Sequence, residues 1–190
     1  MSDKFRNKYR IETARLKHWD YGWNAAYFIT ICTKDRTCFF GRAVDGKMVL
    51  NEIGQIARNC WLAIPVYFPF VKLADHIVMP NHVHGILVID KPDDGRTTVE
   101  TRLIASLPHD RNGKPGGITG NKNPMLHDNL SKIIRWYKGR TTFESRKIQC
   151  DFAWQSRFHD HIIRNEKSFQ RISQYIQNNP INWTSDRFNA

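Results

Sequence analysis

The sequence predicts an α+β fold, an antiparallel sheet with helices packed on one face, and two kinds of observation carry that prediction. The first is local. Stretches rich in β-branched and aromatic residues, such as Tyr27 to Thr33 and the two Val- and Ile-rich runs flanking Met79-Pro80-Asn81, read as strands, and apolar residues at helical spacing elsewhere read as helices. The second is their order. Strand, hairpin, helix, strand and strand succeed one another with short turns, the connectivity of antiparallel neighbours covered by helices.

Taken in order, the chain opens on Lys4-Phe5-Arg6-Asn7-Lys8-Tyr9-Arg10, basic with interleaved aromatics, within an arm of residues 1–20. This composition suits either a nucleic-acid grip or a solvated arm. After the strand at Tyr27, a turn near Asp35-Arg36 leads to Thr37-Cys38-Phe39-Phe40, an apolar run that ends at Gly41 and is expected to pair with the next segment of chain. Asp45-Gly46 then predicts a hairpin turn. Asn51 is the expected N-cap of a helix to about Ile64, with Ile53, Ile56, Ala57, Cys60 and Trp61 on one face.

The next hairpin is the centre of the chain. Pro80 presets φ and Asn81 tolerates left-handed geometry, so Met79-Pro80-Asn81 reads as a tight turn. Side chains alternate along a strand, which puts His82 and His84 on one face with Ile86 and Val88, and Val83, Leu87 and Ile89 on the other. Two imidazoles at this spacing are either surface or capping residues without a metal or a pair that one divalent cation could reach, and their place on an apolar strand raises the second reading, since a buried imidazole without a partner is costly.

Residues 91–125 are rich in Pro, Gly, Asp, Asn, Arg and Lys and form a long insertion of functional or disordered type; their glycines lack the order of a P-loop. A helix is expected from Leu126 to about Gln149. Leu126, Leu130, Ile133, Ile134, Tyr137 and Thr141 form its apolar face, while Lys132, Arg135, Lys138 and Arg140 lie largely elsewhere as candidate DNA contacts or as a solvated charged face. A loop and short strand through Phe152 to Arg164 precede a final helix, Glu166 to Asn179, stopped by Pro180. Tyr175 edges its apolar stripe, and Asn179 lies one turn later on the same side.

With 190 residues the chain suits a single domain. Its 29 Lys and Arg against 18 Asp and Glu give a net charge of +11, pointing to a polyanion such as nucleic acid, with an anionic membrane surface as the lesser option. No run is apolar enough to span a bilayer and no signal-peptide core comes after Met1, so a cytoplasmic protein is expected. Cys32, Cys38, Cys60 and Cys150 have neither disulfide-framework nor zinc-finger spacing.

His82-Val83-His84 after Met79-Pro80-Asn81, Trp154-Gln155-Ser156-Arg157-Phe158 with Asp160-His161-Ile162-Ile163-Arg164, and Tyr175-Ile176-Gln177-Asn178-Asn179-Pro180 occur in an order that resembles the REP-associated tyrosine transposases, a branch of the single-tyrosine HUH transposases. The resemblance extends from about Tyr9 to Trp183. It implies a ferredoxin-like domain that cuts and rejoins single-stranded DNA, often beside a hairpin or REP-type sequence, through a 5′-phosphotyrosine. It implies His82 and His84 as ligands of Mg²⁺ or Mn²⁺, Tyr175 as nucleophile, and Asn179 as completing the metal site or capping the helix. His161 lies in a matching block, near the site or in a structural hydrogen bond. Trp154 and Phe158 suit the core better than base stacking. Tyr137 is the rival nucleophile, and its apolar helix face favours a core role.

Relatives act as dimers or as monomers, so the resemblance leaves both states open, and the 91–125 insertion has no counterpart in its pattern. Two other readings compete: an inactive nucleic-acid-binding protein of the same fold, and a metal-dependent hydrolase that uses water instead of tyrosine.

Overall fold

The structure, a computed structural model, describes residues 19–92, 128–186 and 188–189, and the backbone of 4–5 and 8–9. The rest of the expected arm up to residue 18, and the expected insertion from residue 93 on, lie outside the described residues. In chain order the strands are β1 (Lys4–Phe5), β2 (Lys8–Tyr9), β3 (Ala25–Cys32), β4 (Gly41–Val44), β5 (Lys47–Leu50), β6 (Val71–Val78), β7 (His82–Ile89) and β8 (His159–Ile163). The α-helices are α1 (Glu52–Leu62), α2 (Ile64–Tyr67), α3 (Leu130–Ser145) and α4 (Glu166–Asn178).

The main sheet has four strands in the order β6-β7-β3-β8, each pair antiparallel. The expected antiparallel α+β architecture is present, and the connections give each strand a helix or a turn to bring it back beside its partner. β4 and β5 form the expected side hairpin, with Asp45 and Gly46 both at positive φ (49° and 70°), the backbone of a mirror-image two-residue turn. Asn side chains cap the three longer helices: Asn51 accepts from the Gly54 amide at 2.9 Å, Asn129 from Lys132 at 3.0 Å and Asn165 from Ser168 at 2.8 Å.

The helices divide between the two faces of the sheet instead of sharing one. Tyr27, Ile29, Ile31, Val83, Leu87 and Ile89 form the larger core with Trp61 of α1 and Ile133, Ile134 and Tyr137 of α3. Ala26, Ile86 and Ile163 point the opposite way and pack under Ile172 and Ile176 of α4. The physical reason lies in β3 and β7, which are apolar on both faces and need cover on both. Gly85 allows the tightest contact of the first face, since a Cβ there would stand 2.2 Å from Trp61 Cζ2.

Thr37–Phe40 is not a strand. Phe39 and Phe40 are buried in the core, and the Phe40 amide donates to Pro80 O at 3.0 Å, so the run tucks beneath the His-bearing hairpin instead of pairing as an edge. α3 is shorter than its periodicity predicts: the Asn129 cap fixes its start and Ser145 ends it. Lys91 closes the base of the long connection, its Nζ donating to Gly22 O at 2.8 Å and Asp128 O at 2.6 Å. Among the described residues no helix is long and apolar enough to cross a membrane. Cys32, Cys38, Cys60 and Cys150 are free.

Candidate active site

Register places the two imidazoles. β7 pairs with β3 so that His82 lies opposite Cys32 and His84 opposite Thr30, and both rings point to the face covered by α4. Both histidines are buried, with ring centroids 4.4 Å apart. The Nδ1 of His84 lies 2.9 Å from Thr30 Oγ1, and the Nδ1 of His82 lies 2.9 Å from Asn81 Oδ1. Phe28 stacks on His84 with ring centroids 5.3 Å apart.

α4 delivers the tyrosine to this pair. Its apolar stripe, Ile172 and Ile176, docks on the sheet, and Tyr175 at the stripe's edge points its hydroxyl to His84 Nε2 at 3.3 Å. Tyr175 is 39% exposed, so the phenol that touches the buried imidazole also faces solvent. Asn179, the C-cap residue of α4, is buried. Its Nδ2 donates to Asp186 Oδ2 at 3.2 Å, whereas its Oδ1 is buried without a hydrogen-bond partner among the described residues. The C-terminal residues close over the site: the Phe188 ring lies 4.6 Å from His82 and 5.8 Å from His84, and Trp183 lies 6.0 Å from His82.

Two imidazoles and an amide oxygen could together hold a divalent cation, and Mg²⁺ or Mn²⁺ is the ion that the family resemblance implies. A buried amide oxygen without a partner loses a hydrogen bond's worth of free energy, on the order of 1–3 kcal/mol, unless something electropositive meets it. Asn179 Oδ1 is such an atom. With two imidazoles it would supply mixed nitrogen and oxygen donors and leave positions for phosphate and water. Among the described residues no cluster of three or more His, Cys, Asp or Glu side chains is present, at the histidine pair or elsewhere.

The remaining sequence candidates lie farther off. His161 is exposed on β8 opposite Phe28, one strand beyond β3 from the histidine pair. α3 packs on the opposite face of the sheet, so Lys132, Arg135, Lys138 and Arg140 do not surround the Tyr175–His84 contact. Lys132 pairs with Asp128 at 2.7 Å and Arg140 with Glu144 at 2.8 Å. Lys138 donates to Gln155 O at 2.6 Å, and partial burial lowers its pKa; Arg135 is exposed. Tyr137 is fully buried in the core and T-shaped against Trp61, and desolvation raises its phenol pKa. Trp154 packs against Phe40, Tyr137 and Phe152, and Phe158 is partly buried against the same core.

Sequence reasoning missed the residues that hold the donors. Thr30 sits in a strand with no motif to mark it, and only the β3–β7 register reveals its partner. Asn81 is visible as a turn residue, but its backbone is not left-handed, since positive φ among described non-glycine residues is confined to Asp35, Arg36 and Asp45. Its side chain instead lies against His82 Nδ1. Asp186 and Phe188 lie past the last periodic segment, where no sequence pattern marks them.

Over 175 residues the chain is 37% identical to an uncharacterized protein of Haemophilus influenzae, covering 91% of this chain and 89% of that protein. The chain belongs to that protein's family. A second Haemophilus influenzae protein, provisionally named a REP-associated tyrosine transposase, is 22% identical over 166 residues, covering 85% of this chain and 73% of its own. The solved structure of a REP-associated tyrosine transposase bound to a REP hairpin matches with a TM-score of 0.55 and 18% identity, covering 90% of this chain and 74% of that one. That likeness shows a shared fold. No protein-family model matches the sequence.

Proposed function

We propose that this protein is a transposase-type enzyme that cuts and rejoins single-stranded DNA, with Tyr175 as nucleophile and His82, His84 and Asn179 as holders of Mg²⁺ or Mn²⁺. The observation that carries the reading is the 3.3 Å approach of the Tyr175 hydroxyl to His84 Nε2, beside a buried His82 and a buried amide oxygen that no donor meets among the described residues. The fold match to a hairpin-bound REP-associated transposase and the more distant sequence relative support hairpin-bearing DNA as the substrate class. The net charge of +11 supports a polyanionic partner.

The chemistry derives from the residues. Tyr175 Oη attacks the phosphorus of a phosphodiester; the Oη–P bond forms, the P–O3′ bond breaks, and the 3′-oxygen leaves as a hydroxyl after taking a proton. The phenol proton departs to the solvent that Tyr175 faces. In the reverse step a 3′-hydroxyl attacks the phosphotyrosine, the P–O3′ bond reforms and the phenol is released, so no external energy source enters. A bound divalent cation supplies Lewis-acid stabilisation of the charge that builds on the phosphoryl oxygens. Phe28, stacked on His84 and 6.1 Å from the Tyr175 ring, keeps the nucleophile and its neighbour in register.

The test is a denaturing gel of purified protein with a labelled single-stranded hairpin oligonucleotide and Mg²⁺ or Mn²⁺, wild type against Tyr175→Phe. A protein–DNA adduct in wild type alone is the expected result. Cleavage without adduct in both proteins would indicate water as nucleophile, and binding without cleavage across a panel of hairpins would indicate an inactive binder.

A further inference from the structure

Each candidate donor is held by a second residue, and hydrogen-bond accounting fixes which atom it turns to the site. Asn81 is buried, and its Nδ2 donates to two carbonyls, Phe188 O at 2.8 Å and Arg36 O at 3.0 Å. Both amide hydrogens are thereby used. The reverse orientation would set the amide oxygen against two carbonyl oxygens, so Asn81 Oδ1 must be the atom 2.9 Å from His82 Nδ1. An amide oxygen only accepts, which requires the proton of His82 to sit on Nδ1 and leaves the lone pair on Nε2.

The same accounting applies at Asn179. Asp186 Oδ2 receives its Nδ2 at 3.2 Å, and a carboxylate only accepts, so the amide turns Oδ1 away from Asp186. The other carboxylate oxygen, Asp186 Oδ1, accepts from the Phe188 amide at 2.9 Å. The Phe188 backbone therefore joins the two arrangements: its carbonyl holds Asn81 and its amide holds Asp186.

We infer that Asn81 and Asp186 are positioning residues of the cation site, linked through the Phe188 backbone, which together fix the His82 tautomer and the Asn179 amide so that Nε2 and Oδ1 are presented as electron-pair donors. This rests on the reading of His82, His84 and Asn179 as the holders of a divalent cation. Outer partners of this kind typically change metal affinity about 10–100-fold when removed.

The experiment has one arm that needs no metal. Long-range ¹H–¹⁵N spectra of the metal-free protein report which ring nitrogen of His82 is protonated, and Mn²⁺ alone is titrated into the same samples, with circular dichroism melts as a control for folding. Wild type is expected to show the Nδ1–H tautomer and Asn81→Ala to lose it. Asp186→Asn keeps the side-chain shape but sacrifices one of the paired acceptors, and is expected to weaken Mn²⁺ binding about 10–100-fold while remaining folded. It keeps the inference falsifiable should Asn81→Ala not fold. An Nε2–H tautomer in wild type, or folded variants that bind Mn²⁺ as wild type does, would overturn the positioning role and leave the cation site standing. Failure of wild type itself to bind Mn²⁺ would overturn the cation site and this inference together.

Discussion

At the scale of single residues, the contact between Tyr175 Oη and His84 Nε2 has two readings that exclude each other in time. In the tautomer with its lone pair on Nε2, His84 either accepts the phenol hydrogen or binds a cation, so a cation held there would break the hydrogen bond and free the phenol. Tyr175→Phe is therefore expected to abolish adduct formation while Mn²⁺ affinity stays the same or rises, which calorimetric titration measures. Asn179→Ala removes the orphaned amide oxygen and is expected to raise the Mn²⁺ concentration needed for half-maximal cleavage by at least about tenfold, within the range that ligand-shell changes produce. Strand alternation put His82 and His84 on one face and helical spacing put Tyr175 and Asn179 on one side, whereas the roles proposed for them came from the family resemblance. Thr30, Asp186 and the hydrogen-bonding role of Asn81 were not legible in the sequence, because strand register and the path of the last residues are tertiary facts.

At the scale of elements, α1 and β7 meet through Trp61, which lies on the bare backbone of Gly85 and stacks with His76 at 6.1 Å. Gly85→Ala drives a methyl into the indole. Overpacking of this kind costs about 1–3 kcal/mol. A thermal melt should fall by roughly 2–4 °C for each kcal/mol lost. His76 gives the same contact a pH dependence. Burial lowers its pKa below the unfolded value of about 6.5, outweighing a backbone hydrogen bond at Ala74 that raises it. Neutral His76 is the form that the fold favours, so its contribution is present above pH 6.5 or so and is lost as pH falls from there through the folded pKa. Melts at descending pH should show that loss in wild type and a flatter profile in His76→Gln. Element types were readable from periodicity and caps. The division of helices between faces was not, because α4 has an apolar stripe that fits either face, and only the double-sided apolarity of β3 and β7 hints that both need cover.

At the scale of the whole molecule, the sheet separates two surfaces. One carries the histidine pair, Tyr175 and Asn179; the other carries α3, where Lys132 and Arg140 are tied to acidic neighbours and Lys138 to the Gln155 carbonyl. With three of its four candidate cations engaged in this way and on the far side of the sheet, α3 contributes to a general positive field more than to a cradle around the scissile phosphate. With a net charge of +11, binding to single-stranded DNA should weaken linearly in log–log terms as salt rises, with a slope of about −0.7 for each phosphate neutralised, a relation that fluorescence anisotropy measures. A flat response would remove charge as the basis of binding. The covalent role proposed for Tyr175 is checked by mass spectrometry of the protease-digested protein–DNA product. A nucleotide joined through its 5′-phosphate to the peptide containing Tyr175 is the expected result; a nucleotide on another residue, or a cleaved strand with no peptide attached, would mean that Tyr175 is not the nucleophile.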